Sequence, residues 1–126
     1  MKSWIIAASM MCATVAAGSL HAQATTVVRI AELVIAPDQL DAYTAAVKQE
    51  MEESVRVEPG VLAIYSVAEK GAPNRLRFFE IYASEQAYRA HIQSPHFRKY
   101  VQATQPMILS RTLIETVPVQ LSAKGN

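Results

Sequence analysis

Apolar residues recur along this chain with two periods that alternate, and the alternation restricts the fold more than any single motif. Thr26 to Ile35 is rich in Val and Ile and reads as a strand. Pro37-Asp38 then opens a helix that carries Leu40, Tyr43, Val47, Met51 and Val55 at three- and four-residue spacing. Glu58-Pro59-Gly60 stops it. Val61 to Ala68 is a second strand, Lys70-Gly71-Ala72-Pro73-Asn74 a turn of hairpin length, and Leu76 to Ala83 a third strand. Ser84 caps the next helix, begun by Glu85 and Gln86. Ser94-Pro95 interrupts and restarts that helix, since Ser suits the cap and Pro the first helical position. After Pro106, Leu109 to Val117 is the last strand.

The order strand, helix, strand, strand, helix, strand predicts an α+β domain of the ferredoxin-like, split βαβ kind, with both helices on one face of an antiparallel sheet. A solvated second face should alternate. Instead Val61-Leu62-Ala63-Ile64-Tyr65 and Phe78-Phe79 put apolar groups on both sides of their strands. The expected cover is the same sheet of another copy, giving a homodimer with sheets packed face to face.

The first residues read as an address. Lys2 is a short positive start, Trp4 to Ala17 is an almost unbroken apolar run, and Ala22-Gln23-Ala24 is a cleavage-site pattern. Residues 1–24 are expected to be a signal peptide, cut after Ala24 or Ala22. The protein is then exported, in the periplasm, with no stable membrane anchor, because the apolar run is shorter than the ~20 residues of a spanning helix. Residues 25–126 form one domain, with 118–126 a flexible tail. Lys2 and Cys12 leave with the leader, so the 12 basic residues become eleven against 11 acidic ones, and no cysteine remains. Balanced charge argues against nucleic acid as a partner. Stability must come from packing without disulfides.

Titratable chemistry concentrates after the third strand, where His91 and His96 lie five residues apart. Imidazole titrates nearest neutrality, so two of them beside Glu80 and an aromatic cluster suit proton transfer. Ala87, Tyr88, His91 and Ile92 share a stripe that turns His91 from helix to sheet. A buried structural histidine bonded to a backbone or Tyr partner is the plainer alternative. His96 falls in the first turn of the restarted helix, a place for an imidazole that accepts a proton or a hydrogen bond, or for one that braces the bend. Glu80 shares a strand face with Leu76, Phe78 and Tyr82, an expensive position for a carboxylate without a partner. It either pairs with Arg29 or Arg111 or orients a histidine; Glu32 poses the same question on the first strand. Histidines five apart across a helix break lack the i, i+4 spacing of two metal ligands on one face, so no metal is expected. Nor is there a nucleotide-binding glycine loop.

Phe79-Glu80-Ile81-Tyr82-Ala83-Ser84, Ala87-Tyr88-Arg89-Ala90-His91 and Ser94-Pro95-His96-Phe97-Arg98-Lys99-Tyr100 resemble the signature of the antibiotic biosynthesis monooxygenase domain family, including its quinol monooxygenases. Glu58-Pro59-Gly60-Val61-Leu62 resembles its helix-to-strand junction, and the likeness covers about residues 27 to 117. The resemblance implies a dimeric α/β-barrel and attack of O₂ on an electron-rich phenol or quinol without metal or flavin. Many members carry Trp two residues after the strand glutamate where this chain has Tyr82, and Trp4 is lost with the leader. That departure argues against the haem-degrading branch, and export argues against the branch acting on a phosphorylated cytosolic sugar. The function expected is cofactor-independent oxidation of a quinol or related phenolic. His91 is the base, His96 its orienting partner or proton acceptor and Glu80 the supporting carboxylate, with Tyr65, Phe78, Tyr82, Tyr88 and Phe97 lining the cavity. The alternative is a non-catalytic periplasmic protein that binds a small aromatic or stress-related metabolite.

Overall fold

The computed structural model describes residues 25–125, so the expected leader, residues 1–24, and the terminal Asn126 lie outside the described residues. The chain runs β1 (Val27–Ile35), a 3₁₀ turn (Pro37–Gln39), α1 (Leu40–Val57), β2 (Val61–Glu69), β3 (Ala72–Tyr82), α2 (Glu85–Gln93), α3 (Pro95–Thr104), a second 3₁₀ turn (Gln105–Met107) and β4 (Ile108–Glu115). The four strands form one sheet in the order β2-β3-β1-β4. Every neighbouring pair is antiparallel, as the expected ferredoxin-like topology requires. Among the described residues, no helix is long and apolar enough to cross a membrane.

The register decides what each face carries. Ala31 lies opposite Phe78 and Leu33 opposite Leu76, so these side chains share the face beneath the helices. Ala31, Leu33, Ile35 and Phe78 are buried there against Tyr43 and Val47 of α1. On the other face Ile30 pairs with Phe79 and Ile114, and Tyr65 with Phe79. That face is apolar yet open: Tyr65 is 62% exposed and Val67 64%.

Three expectations shift. The Pro37-Asp38 start is a 3₁₀ turn before α1 proper. Along α1 the buried positions are Tyr43, Val47, Glu50 and Ser54, whereas Val55 is exposed. The stripe advances by four, three and four residues, the drift of a helix with 3.6 residues per turn, and lands on two polar residues. The hairpin turn is tighter than expected because Ala72, Pro73 and Asn74 already belong to β3. Pro73 is tolerated there because the β2–β3 register shifts next to Glu69, and Asn74 Nδ2 donates to the Ile35 carbonyl at 3.0 Å.

Candidate active site

Both serine caps act as the sequence predicts. Ser84 Oγ accepts from the Ala87 amide at 3.0 Å and opens α2. Ser94 ends α2 and caps α3: its Oγ accepts from the Phe97 amide at 3.3 Å and lies 2.7 Å from the His91 carbonyl, to which it can donate. The same hydroxyl is 3.1 Å from His96 Nε2. The break therefore folds His96 back towards His91, with ring centroids 6.3 Å apart.

One carboxylate oxygen joins the two rings. Glu58 Oε2 lies 2.8 Å from His91 Nδ1 and 2.7 Å from His96 Nε2. Glu58 is the residue that terminates α1, in an extended conformation, and its own amide still bonds the Ser54 carbonyl. Glu50 approaches from the same helix, its Oε1 3.5 Å from His91 Nε2 and 2.6 Å from the Ser54 hydroxyl. His91 is thus 1% exposed with a carboxylate at each ring nitrogen. Of the expected histidine settings, it has neither a backbone nor a Tyr hydrogen bond but carboxyl partners.

Glu80 does not hold a histidine. Its carboxylate accepts from the Tyr82 hydroxyl at 3.1 Å, two residues along its own strand. Arg29, although opposite Glu80 in the register, sends its guanidinium to Glu85 at 3.0 Å and over the Tyr88 ring at 4.7 Å. Burial raises the Glu80 carboxyl above the usual carboxylate range, against the opposing effects of the Tyr82 hydrogen bond and His91. Glu50 is raised too, again chiefly by burial, with the Ser54 bond opposing. Glu32 is a surface partner of Arg77, at 3.4 Å.

Between the helices and the sheet lies a cavity of about 90 Å³. Phe78, Tyr82, Tyr88 and Phe97 line it, as expected, and so do His91, Glu50, Glu80 and Tyr100. Its exposed lining residues are Ile92, Arg111 and Leu113, which place the mouth beside β4. Tyr65 is the exception among the expected lining residues. It stands across from Phe79 on the open face of the sheet, because the irregularity between Val61 and Ala63 fixes β2 in that register. The aromatic side chains also order the histidine: its ring centroid lies 4.8 Å from Phe97 and 5.4 Å from Tyr82.

Sequence reasoning missed Glu50 and Glu58. The signal was present, because a stripe continued from Tyr43 and Val47 at i+3 and i+4 passes through Glu50, Ser54 and Glu58 in turn. Three polar residues on the core-facing line of an amphipathic helix mark a polar site. The histidine spacing in sequence was equally uninformative about ligands, since His91, His96 and Glu50 sit on three different helices. One donor atom from each lies within 4.8 Å of the others.

Residues 26–103 match the family model described as Antibiotic biosynthesis monooxygenase. Among solved structures, a candidate antibiotic biosynthesis monooxygenase from Bacteroides thetaiotaomicron is similar at 43% identity and a TM-score of 0.77, covering 81% of this chain and 97% of that one. A candidate monooxygenase from Lactobacillus acidophilus is 32% identical with a TM-score of 0.73, covering 75% of this chain but only 45% of its own. Rv0793 from Mycobacterium tuberculosis, at 22% identity, TM-score 0.71 and coverage of 79% and 100%, shares the fold. No curated protein matches. A family match over more than half the chain, together with a close neighbour spanned almost end to end, shows that this chain belongs to the antibiotic biosynthesis monooxygenase family.

Proposed function

We propose that the protein is a cofactor-independent monooxygenase that inserts oxygen from O₂ into a quinol or a related electron-rich phenol. The observation that carries this reading is the Glu58–His91 pair at 2.8 Å on the wall of an aromatic cavity. With Nδ1 donating to the carboxylate, His91 presents Nε2 as a base and the carboxylate steadies the imidazolium that forms. A flat ring enters past Arg111 and Leu113 and stacks among Phe78, Tyr82, Tyr88 and Phe97. His91 takes a phenolic proton, and the cationic Arg111 at the mouth favours the resulting phenolate. The phenolate passes one electron to O₂, and the radical pair joins to form a C–O bond and a hydroperoxide. Loss of the ring C–H proton with cleavage of the O–O bond releases water and leaves a hydroxyquinone. The sum is quinol plus O₂ giving hydroxyquinone plus water, with no external reductant.

The same reading includes a homodimer closed through the open apolar face and export of the mature chain to the periplasm, where membrane quinols are within reach. Oxygen uptake by the purified protein against a panel of reduced quinols, corrected for autoxidation, tests it. Uptake above background that disappears in His91→Ala supports the assignment. Equal uptake in His91→Ala removes the base role, and no uptake across the panel transfers the cavity to a binding protein.

A further inference from the structure

We infer that Glu50, His91 and His96 form a binding site for a single divalent d-block cation of the zinc class, with Glu58 as its orienting carboxylate. The site stands on geometry and does not depend on the oxygenase reading. Glu58 Oε2 lies 2.8 Å from His91 Nδ1, and with Nδ1 donating to that carboxylate the neutral ring offers the lone pair of Nε2. That lone pair faces Glu50 Oε1 at 3.5 Å. The two atoms oppose each other in a buried place, beyond ordinary hydrogen-bond reach. Their separation matches the roughly 3.4 Å edge of a tetrahedron built on ~2.1 Å metal bonds. The donor atom of His96 completes a set within 4.8 Å. His96 is the half-buried member of the three, at the first turn of α3, and its Nε2 also lies 2.7 Å from Glu58 Oε2 and 3.1 Å from the Ser94 hydroxyl.

Charge points the same way. Among the described residues, the ion pairs of Glu50 and Glu58 are with the two imidazoles alone. The Glu50 and Glu58 side chains are only 6% and 15% exposed, a setting in which ionised carboxylates need a cationic partner such as a dication. Two imidazoles and a carboxylate favour Zn²⁺, Co²⁺, Ni²⁺ or Cu²⁺ over Mg²⁺ or Ca²⁺. The Ser54 hydroxyl at 2.6 Å holds the Glu50 carboxylate in place, as an outer partner of a ligand should. An entry path exists apart from the aromatic cavity: a groove of about 330 Å³ between α1 and α3 is lined by both Glu50 and His96. A cation on Nε2 occupies the lone pair that a base needs, so metal occupancy and proton abstraction by His91 exclude each other.

The test is titration of the chelator-treated full chain with Co²⁺, read as visible d–d absorption and completed by displacement with Zn²⁺. One equivalent of Co²⁺ per chain is expected, with affinity reduced at least 10-fold in Glu50→Gln and 10- to 100-fold in Glu58→Gln. Far-UV circular dichroism checks that the variants are folded. For a readout on the unmutated chain, the imidazole NMR signals of His91 and His96 should shift together on adding Zn²⁺. Absence of saturable absorption, absorption unchanged in folded Glu50→Gln, or Zn²⁺ shifts that spare His91 and His96 would each overturn the site. None of these readouts involves oxygen uptake, so the result is independent of whether the protein is an oxygenase.

Discussion

Gly60→Ala probes how α2, and with it His91, is seated. Gly60 has an ordinary backbone with no positive φ, so alanine is not strained there by conformation. The obstacle is contact: a Cβ on residue 60 falls 2.5 Å from the Ala87 Cβ and 3.4 Å from the Ala87 Cα. Restoring ordinary van der Waals distance needs a displacement of about 1 Å, and overpacking of this kind costs roughly 1–3 kcal/mol. Replacing glycine offsets about 0.4–1 kcal/mol of that by restricting the unfolded chain. The midpoints leave a net loss of about 1.3 kcal/mol, which in a domain of this size lowers Tm by roughly 5–10 °C. The Ala83 amide bonds the Gly60 carbonyl at 2.8 Å, so β2 cannot slide away freely and α2 must take up the movement. His91 lies one helical turn beyond Ala87, and its 2.8 Å bond to Glu58 should lengthen. The assay is urea and thermal unfolding of Gly60→Ala, Ala87→Gly and the double variant as a cycle, with turnover measured alongside. The double variant should be more stable than the sum of the single losses predicts. Gly60→Ala as stable as the parent, or a cycle that adds without coupling, would refute the close-packing argument.

Three further outcomes are expected. Glu58→Gln removes the charge that both histidines share and should cut turnover by about 10²-fold while leaving the fold intact by circular dichroism; unaltered kinetics would deny the pairing a role. Glu80 faces Tyr82, His91, Glu50 and Arg29, and its carboxyl is raised by burial, so the folded protein holds that proton more tightly than the unfolded chain. Its stabilising effect is complete below the unfolded glutamate pKa and is lost as pH rises through the folded one; Glu80→Gln should therefore be the more stable protein near neutrality and lose that advantage in acid, as urea titrations across pH would show. Tyr65→Glu places charge on the open face, so light scattering should report a dimer for the parent and a smaller species for the variant, with equal masses counting against face-to-face packing.

Much of the fold was legible because period and punctuation agreed. Ser84, Ser94 and Pro95 mark helix starts through local hydrogen bonds and a fixed φ, which need no tertiary information. The interior of α1 was read less well because Met51 and Val55 are apolar and attracted the stripe, although helical drift carries the buried line to Glu50 and Ser54. Pro73 disguised the start of β3, since only the register irregularity beside Glu69 makes a proline acceptable there. At the site, the histidines and most of the aromatic lining were found from a local run of sequence. Their carboxylate was not: Glu58 precedes His91 by 33 positions and His96 by 38, and a residue that ends a helix gives no sign of where its side chain will point. Tyr65 failed for a related reason, as one irregular pairing at the start of β2 decides which face the whole strand presents.

The position of β1 between β3 and β4 has a consequence for the order in which the molecule can be assembled. The β2–β3 hairpin closes through a short turn, but β1 must wait for β3 on one side and for the last strand on the other, with Arg29 finally meeting Glu115. Closing that longest loop takes the largest toll in chain entropy. Arg111 and Leu113, which frame the mouth of the cavity, arrive with that final strand. On the ribosome, then, the pocket exists as an unfinished trough until the end of the domain has emerged, and a chain cut before β4 would keep both histidines and Ile92 yet lack the Arg111 and Leu113 side of its opening.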